Sequence, residues 1–128
     1  MKFHVTQDEI KTETNFGPLD ISPNEDEGFR PFQLMVASLA GCSASVFRKI
    51  LNKQKVEFDE MTIDADVERT GDDVNKIEKV TLTFKVKGQD LNRSKLEKSL
   101  QIASKNCSMV QSVIGSIEVI ETVEVIEA

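Results

Sequence analysis

The sequence predicts an α+β domain: antiparallel strands around a long buried central helix, with a second helix that carries a cysteine. Three observations predict it. Residues 57–70 and 76–87 alternate apolar and polar side chains about the turn Gly71-Asp72-Asp73, the period of a half-buried hairpin. The stretch from Phe32 to Phe47 contains no charge and opens at Pro31, so this helix is expected to be covered on most sides. Leu96, Leu100, Ala103, Cys107, Val110 and Ile114 recur at steps of four and three, the spacing of an amphipathic helix. Strands, helix, hairpin, helix and strand in that order do not make a doubly wound sheet.

The elements follow in order. Residues 3–14 read as a short strand pair turning near Gln7-Asp8, and 15–29 as a loop with one short strand at 19–21. Pro31 opens the first helix, because its missing N–H costs nothing at that position. Gly41 costs that helix about 1 kcal/mol against alanine. A glycine beside Cys42 therefore suggests a closely approached backbone. Arg48, Lys49 and Lys53 suit the helix C-terminus. After the hairpin, Asn92 is an N-cap and Gly115 a C-cap for a helix over 92–114 that admits a break near Asn106-Cys107-Ser108. The tail, 117–126, reads as one long strand or two, with Glu118, Glu121, Glu124 and Glu127 on its wet face. The length of 128 residues suits a single domain over residues 1–128.

Composition narrows the function. There are 22 acidic residues against 16 basic ones, so the net charge of −6 repels phosphate backbones and anionic lipid. Neither nucleic acid nor a membrane is an expected partner. No stretch is expected to supply the roughly 20 apolar residues of a membrane span. The first eight residues turn polar too early for a secretion signal, so a cytoplasmic protein is expected. Two cysteines and one histidine, His4, do not make a four-ligand zinc site, and neither Glu25-Asp26-Glu27 nor Asp72-Asp73 has calcium-loop spacing. No cofactor is expected.

The chemistry lies in the cysteines. Met35, Leu39, Cys42, Val46 and Ile50 form one apolar stripe, and Cys107 sits mid-stripe on the second helix. If the stripes pack together, the thiols meet in an apolar pocket. Otherwise the cysteines are two small core hydrophobes. The segment from Pro31 to Cys42, with Asn106-Cys107-Ser108-Met109-Val110, resembles the paired cysteine motifs of the OsmC/Ohr family, the osmotically induced and organic hydroperoxide resistance proteins. The resemblance covers most of the chain and is nearest to the short OsmC-like branch.

It implies an intertwined homodimer with active sites at the subunit interface, and a thiol-dependent peroxidase acting on organic hydroperoxides. Cys42 would attack as thiolate and become a sulfenic acid, Cys107 would resolve it as a disulfide, and a dithiol would reduce the pair. Phe32, Met35 and Leu39 are the expected substrate-binding residues. An apolar pocket raises a thiol pKa, so a nearby cation is expected to offset it. The best-studied relatives carry a glutamate after the helix-opening proline, which holds an activating arginine. This chain has Phe32 there, then Gln33, and Arg30 is the candidate cation, with a surface charge balancing Glu25, Asp26 and Glu27 as its alternative role. The alternative function is a non-catalytic or redox-sensing module that binds an apolar small molecule in the interface pocket.

Overall fold

Each strand and helix forms where its residue period allows, and the chain divides into two compact units, residues 1–37 and 38–128. The computed structural model describes all of residues 1–128.

In the first unit, β1 (Phe3–Val5) and β2 (Ile10–Glu13) form the expected strand pair, and β3 (Pro18–Asp20) adds antiparallel to β2. Thr12 is the buried residue of this sheet, and its hydroxyl donates to the Lys2 carbonyl at 2.7 Å. The loop after β3 folds back on it: Phe29 N–H donates to Asp20 O at 2.8 Å, and Ser22 N–H donates to Phe29 O at 3.1 Å. This return needs a residue without a side chain. A Cβ on Gly28 would fall 2.9 Å from the Asp20 carbonyl oxygen.

α1 (Pro31–Lys53) starts at the expected proline and ends at a basic residue. Its length corrects the expectation about membrane spans, since this helix is long and apolar enough to cross one by length and composition. Within the second unit its buried residues are Leu39, Ser43, Phe47 and Leu51. This i, i+4 row lies one position round from the expected stripe, so Cys42, Val46 and Ile50 flank the core half-buried. The expected all-round burial is not met within one chain, because Ser38 and Gly41 are exposed. A Cβ on Gly41 would meet nothing within 4 Å, so no part of this chain makes the close approach inferred there.

β4 (Glu60–Arg69) and β5 (Ile77–Gly88) form the expected hairpin, with Ile63 opposite Phe84. Its turn is closed by Asp72, whose Oδ1 accepts from the Thr70 hydroxyl at 2.6 Å and the Asn75 N–H at 2.8 Å. β6 (Glu118–Glu127) is one strand and pairs parallel to β5, so this sheet is mixed rather than antiparallel. The reason is the connection: the chain returns through α2 (Arg93–Lys105) and α3 (Ser108–Ser112), and a helical crossover delivers the next strand parallel.

The core of this unit forms where β5 presents Val80, Leu82, Phe84 and Val86, all fully buried. Phe47 of α1 meets Phe84 edge-on, with ring centroids 5.5 Å apart. Leu96, Leu100 and Ala103 of α2 complete it. Each large side chain buried this way contributes roughly 1.5–3 kcal/mol. Asn92 caps α2 as expected, accepting the Lys95 N–H at 3.1 Å.

Candidate active site

Where the sequence admits a break, the helix breaks. Cys107 takes an extended backbone, φ −85° and ψ 111°, between α2 and α3. It is therefore the N-cap residue of α3 and not part of a continuous second helix. Two side chains stitch the gap. Asn106 Nδ2 donates to the Ile102 carbonyl at 2.8 Å, and Gln111 Nε2 donates to the Ser104 carbonyl at 3.1 Å, a second donor for carbonyls that already accept the Asn106 and Cys107 N–H groups at 3.2 and 3.3 Å.

The break does the same service in reverse for the amides that follow. The first N–H groups of a helix have no partner within it. Here the Met109 and Ser108 N–H groups favour the thiolate of Cys42. The Ser108 hydroxyl lies 3.7 Å from Cys42 Sγ, and the Cys107 thiol acts on the same sulfur as a hydrogen-bonding neighbour that favours its thiolate. Four neutral donors from residues 107–109 thus converge on one sulfur. Cys107 adjoins Cys42 from the break between α2 and α3, and not from a continuous helical stripe.

The environments of the two thiols differ. The Met109 N–H, then the Cys107 thiol, with smaller contributions from Ser108, hold the Cys42 thiol below the ordinary thiol range against the opposing effect of burial. Burial pushes the Cys107 thiol up, and its neighbour Cys42 pushes it further, while the Val110 N–H opposes. Cys107 is wholly buried and Cys42 half-buried. Cys42 is the sulfur suited to be the thiolate, and Cys107 the one suited to remain a thiol donor. The causes that lower the Cys42 thiol are hydrogen-bond donors, with no cation among them.

The other expected residues stand as follows. Arg30 lies with its guanidinium carbon 4.7 Å over the Phe32 ring, and its Nε is buried without an acceptor. Gln33 is exposed on the first turn of α1, Phe32 is half-buried and Met35 is 44% exposed. Leu39, expected against substrate, is 1% exposed and belongs to the core, because the buried row of α1 runs through it. His4 is an exposed residue of β1. No group of three or more histidine, cysteine or acidic side chains could hold a metal ion.

Glu121 is the residue that the sequence reading misplaces. It pairs with Leu82 on the inner face of the sheet, not on the wet face of the tail. One carboxylate oxygen accepts from the Ser43 hydroxyl, and the other is buried without a partner. Ser43 follows Cys42 on α1 and is fully buried. The alternation Val119, Glu121, Val123, Val125 carries the signal, since a strand repeats every two residues while the acidic series steps by three.

A groove of about 350 Å³ runs between α1 and β4, lined by Gly41, Ala44, Ser45, Arg48, Met61 and Ile63 among others. A larger cleft, lined by Glu68, Lys76, Lys79 and Ile114 among others, holds neither cysteine.

The family model described as OsmC-like protein matches residues 24–122. No curated protein matches the chain. Among solved structures, a hypothetical protein of Aquifex aeolicus VF5 superposes with a TM-score of 0.86 at 19% identity, covering 99% of this chain and 95% of its own. An organic hydroperoxide resistance protein OsmC of Legionella pneumophila gives 0.73 at 22% identity over 96% of this chain and 93% of its own. The organic hydroperoxide resistance protein OhrB of Bacillus subtilis gives 0.71 at 22% identity over 96% and 95%. At these identities the likeness is one of fold.

Proposed function

The chain belongs to the OsmC-like protein family, and on that premise we propose that it is a redox protein of peroxide resistance: a thiol-dependent peroxidase that reduces organic hydroperoxides. The observation that carries this reading is the convergence of donors from residues 107–109 on the Cys42 sulfur, with Cys107 as one of them. A thiolate is the nucleophile in peroxide reduction, and those donors stabilise it.

In the proposed cycle the Cys42 thiolate attacks the terminal oxygen of a hydroperoxide. The S–O bond forms, the O–O bond breaks, and the departing alkoxide takes a proton to become an alcohol. Cys107 then attacks the sulfenic sulfur, releasing water and forming a disulfide, which an external dithiol reduces. Arg30 is the proposed auxiliary cation, since its buried Nε lacks an acceptor and is available to an anion. Gln33 is proposed to support it by hydrogen bonding, and Phe32 and Met35 to contact the substrate. The chain is proposed to work as a homodimer in a reducing cytoplasm. Two features support a second copy: the exposed residues of the charge-free stretch 32–47 of α1 and the groove beside Gly41.

The test is turnover. Purified protein with cumene hydroperoxide and dihydrolipoamide should consume peroxide catalytically. Cys42→Ser should abolish turnover, and Cys107→Ser should leave a single sulfenic acid. Peroxide consumption that survives Cys42→Ser would overturn the reading. One observation favours the alternative of a non-catalytic apolar binding or redox-sensing module, namely the Arg30 guanidinium stacked on Phe32 instead of paired with an acid. Oxidation of both thiols without steady-state turnover would select it.

A further inference from the structure

Of the donors that meet Cys42, two are side chains, the Cys107 thiol and the Ser108 hydroxyl, and only the hydroxyl lies outside the proposed disulfide. The backbone amides come with any residue at 108 and 109, whereas the hydroxyl comes only with serine or threonine at 108. It lies 3.7 Å from Cys42 Sγ, a distance within reach for a hydrogen bond to sulfur. Its own residue is exposed, so the hydroxyl can exchange its proton with solvent. Two other hydroxyls nearby in sequence are already committed: Ser112 donates to the Ser108 carbonyl at 2.7 Å, and Ser43 donates to Glu121. The hydroxyl of Ser108 has no such backbone or carboxylate partner, and its contact is with the sulfur.

We propose that Ser108 is a catalytic residue of the peroxide reaction, whose hydroxyl hydrogen-bonds the Cys42 thiolate and then passes its hydrogen bond to the oxygen that leaves. The inference rests on the peroxidase reading. As sulfur attacks the terminal oxygen, negative charge moves from sulfur to the alkoxide. A donor beside the sulfur must follow that charge to remain useful. An O–H can do so by rotating about its own Cβ–Oγ bond, which a backbone N–H fixed in α3 cannot. The step balances: Cys42–S⁻ and RO–OH give Cys42–S–OH and RO⁻, Ser108 O–H gives its proton to RO⁻ to form ROH, and the serine oxygen recovers a proton from water. Two-electron oxidation of sulfur matches two-electron reduction of the O–O bond, and no further oxidant is needed.

The test uses the full-length protein as Ser108→Ala and Ser108→Thr, with Cys107→Ser present so that sulfenic acid formation is followed alone. The expected result with tert-butyl hydroperoxide is about tenfold slower oxidation in the alanine variant, the loss of one hydrogen bond to a charged group, with threonine restoring most of the rate. A set of hydroperoxides whose leaving alcohols differ in acidity supplies a readout that a merely structural role would not move. The alanine variant should depend more steeply on leaving-group acidity than the serine protein. Equal slopes would overturn the leaving-group role. Unchanged iodoacetamide reactivity of Cys42 in Ser108→Ala would overturn the thiolate role, and that arm needs no peroxide. If Cys42 in the Ser108 protein does not react with any hydroperoxide, the peroxidase reading fails, while the iodoacetamide arm still decides whether Ser108 holds the thiolate.

Discussion

At the scale of single residues, the two sulfurs are unequal because their surroundings are unequal. A lowered pKa means that the Cys42 thiolate persists to lower pH than a free cysteine would. Its alkylation rate should therefore rise through a midpoint below the ordinary value of about 8.5. Cys107→Ala removes one donor and should move that midpoint upward; a midpoint at or above the ordinary value in the parent protein would contradict the donor cluster. Glu121 invites a second prediction. Replacing it with leucine leaves the buried Ser43 hydroxyl without its acceptor, and should destabilise the fold by about 1–3 kcal/mol in urea unfolding. Glu121→Gln keeps an acceptor and should cost less. Cys42 and Cys107 were legible in the sequence because each is centred on an apolar stripe. Glu121 was not, because the acidic steps of three hid a strand alternation of two. The amide donors to Cys42 were not legible either, since backbone amides leave no trace in residue type.

At the scale of elements, local chemistry decided most boundaries. Pro31, Asn92 and the turn at Gly71-Asp72-Asp73 sit where their types demand. The break at Cys107 was only half visible, in the weak helix formers around it. What fixes it is the pair of side-chain bonds from Asn106 and Gln111, whose partners no sequence pattern names. Gly115, with φ +86°, lets the chain leave α3 toward β6. Gly115→Ala places a Cβ in a left-handed backbone and should cost about 1–2 kcal/mol. Thermal unfolding checks this: an unchanged or raised melting temperature would contradict the role assigned to the turn. The parallel pairing of β6 lay beyond the sequence, because alternation reports which face a side chain takes and not the direction of the neighbouring strand.

For the whole molecule, the prediction concerns what covers α1. Its buried row is a single stripe, so the charge-free stretch 32–47 keeps an open face in one chain. The proposed second copy explains why Gly41 is glycine although nothing in this chain crowds it. Sedimentation should give twice the monomer mass, and Gly41→Arg should yield a monomer with unchanged far-ultraviolet circular dichroism. A monomeric parent protein would remove the homodimer from the account. The order of elements and the family were readable before any coordinates. The extent of burial was not, because hydropathy records the preference of a surface for cover and not the chain that provides it.

The most direct measurement is a peptide map of protein treated with one equivalent of cumene hydroperoxide and digested without reductant. A single cross-linked species is expected that joins the peptides of Cys42 and Cys107, lighter than their sum by two hydrogens and absent from Cys42→Ser. Overoxidised Cys42 beside an untouched Cys107 thiol, or two unmodified cysteines, would contradict it.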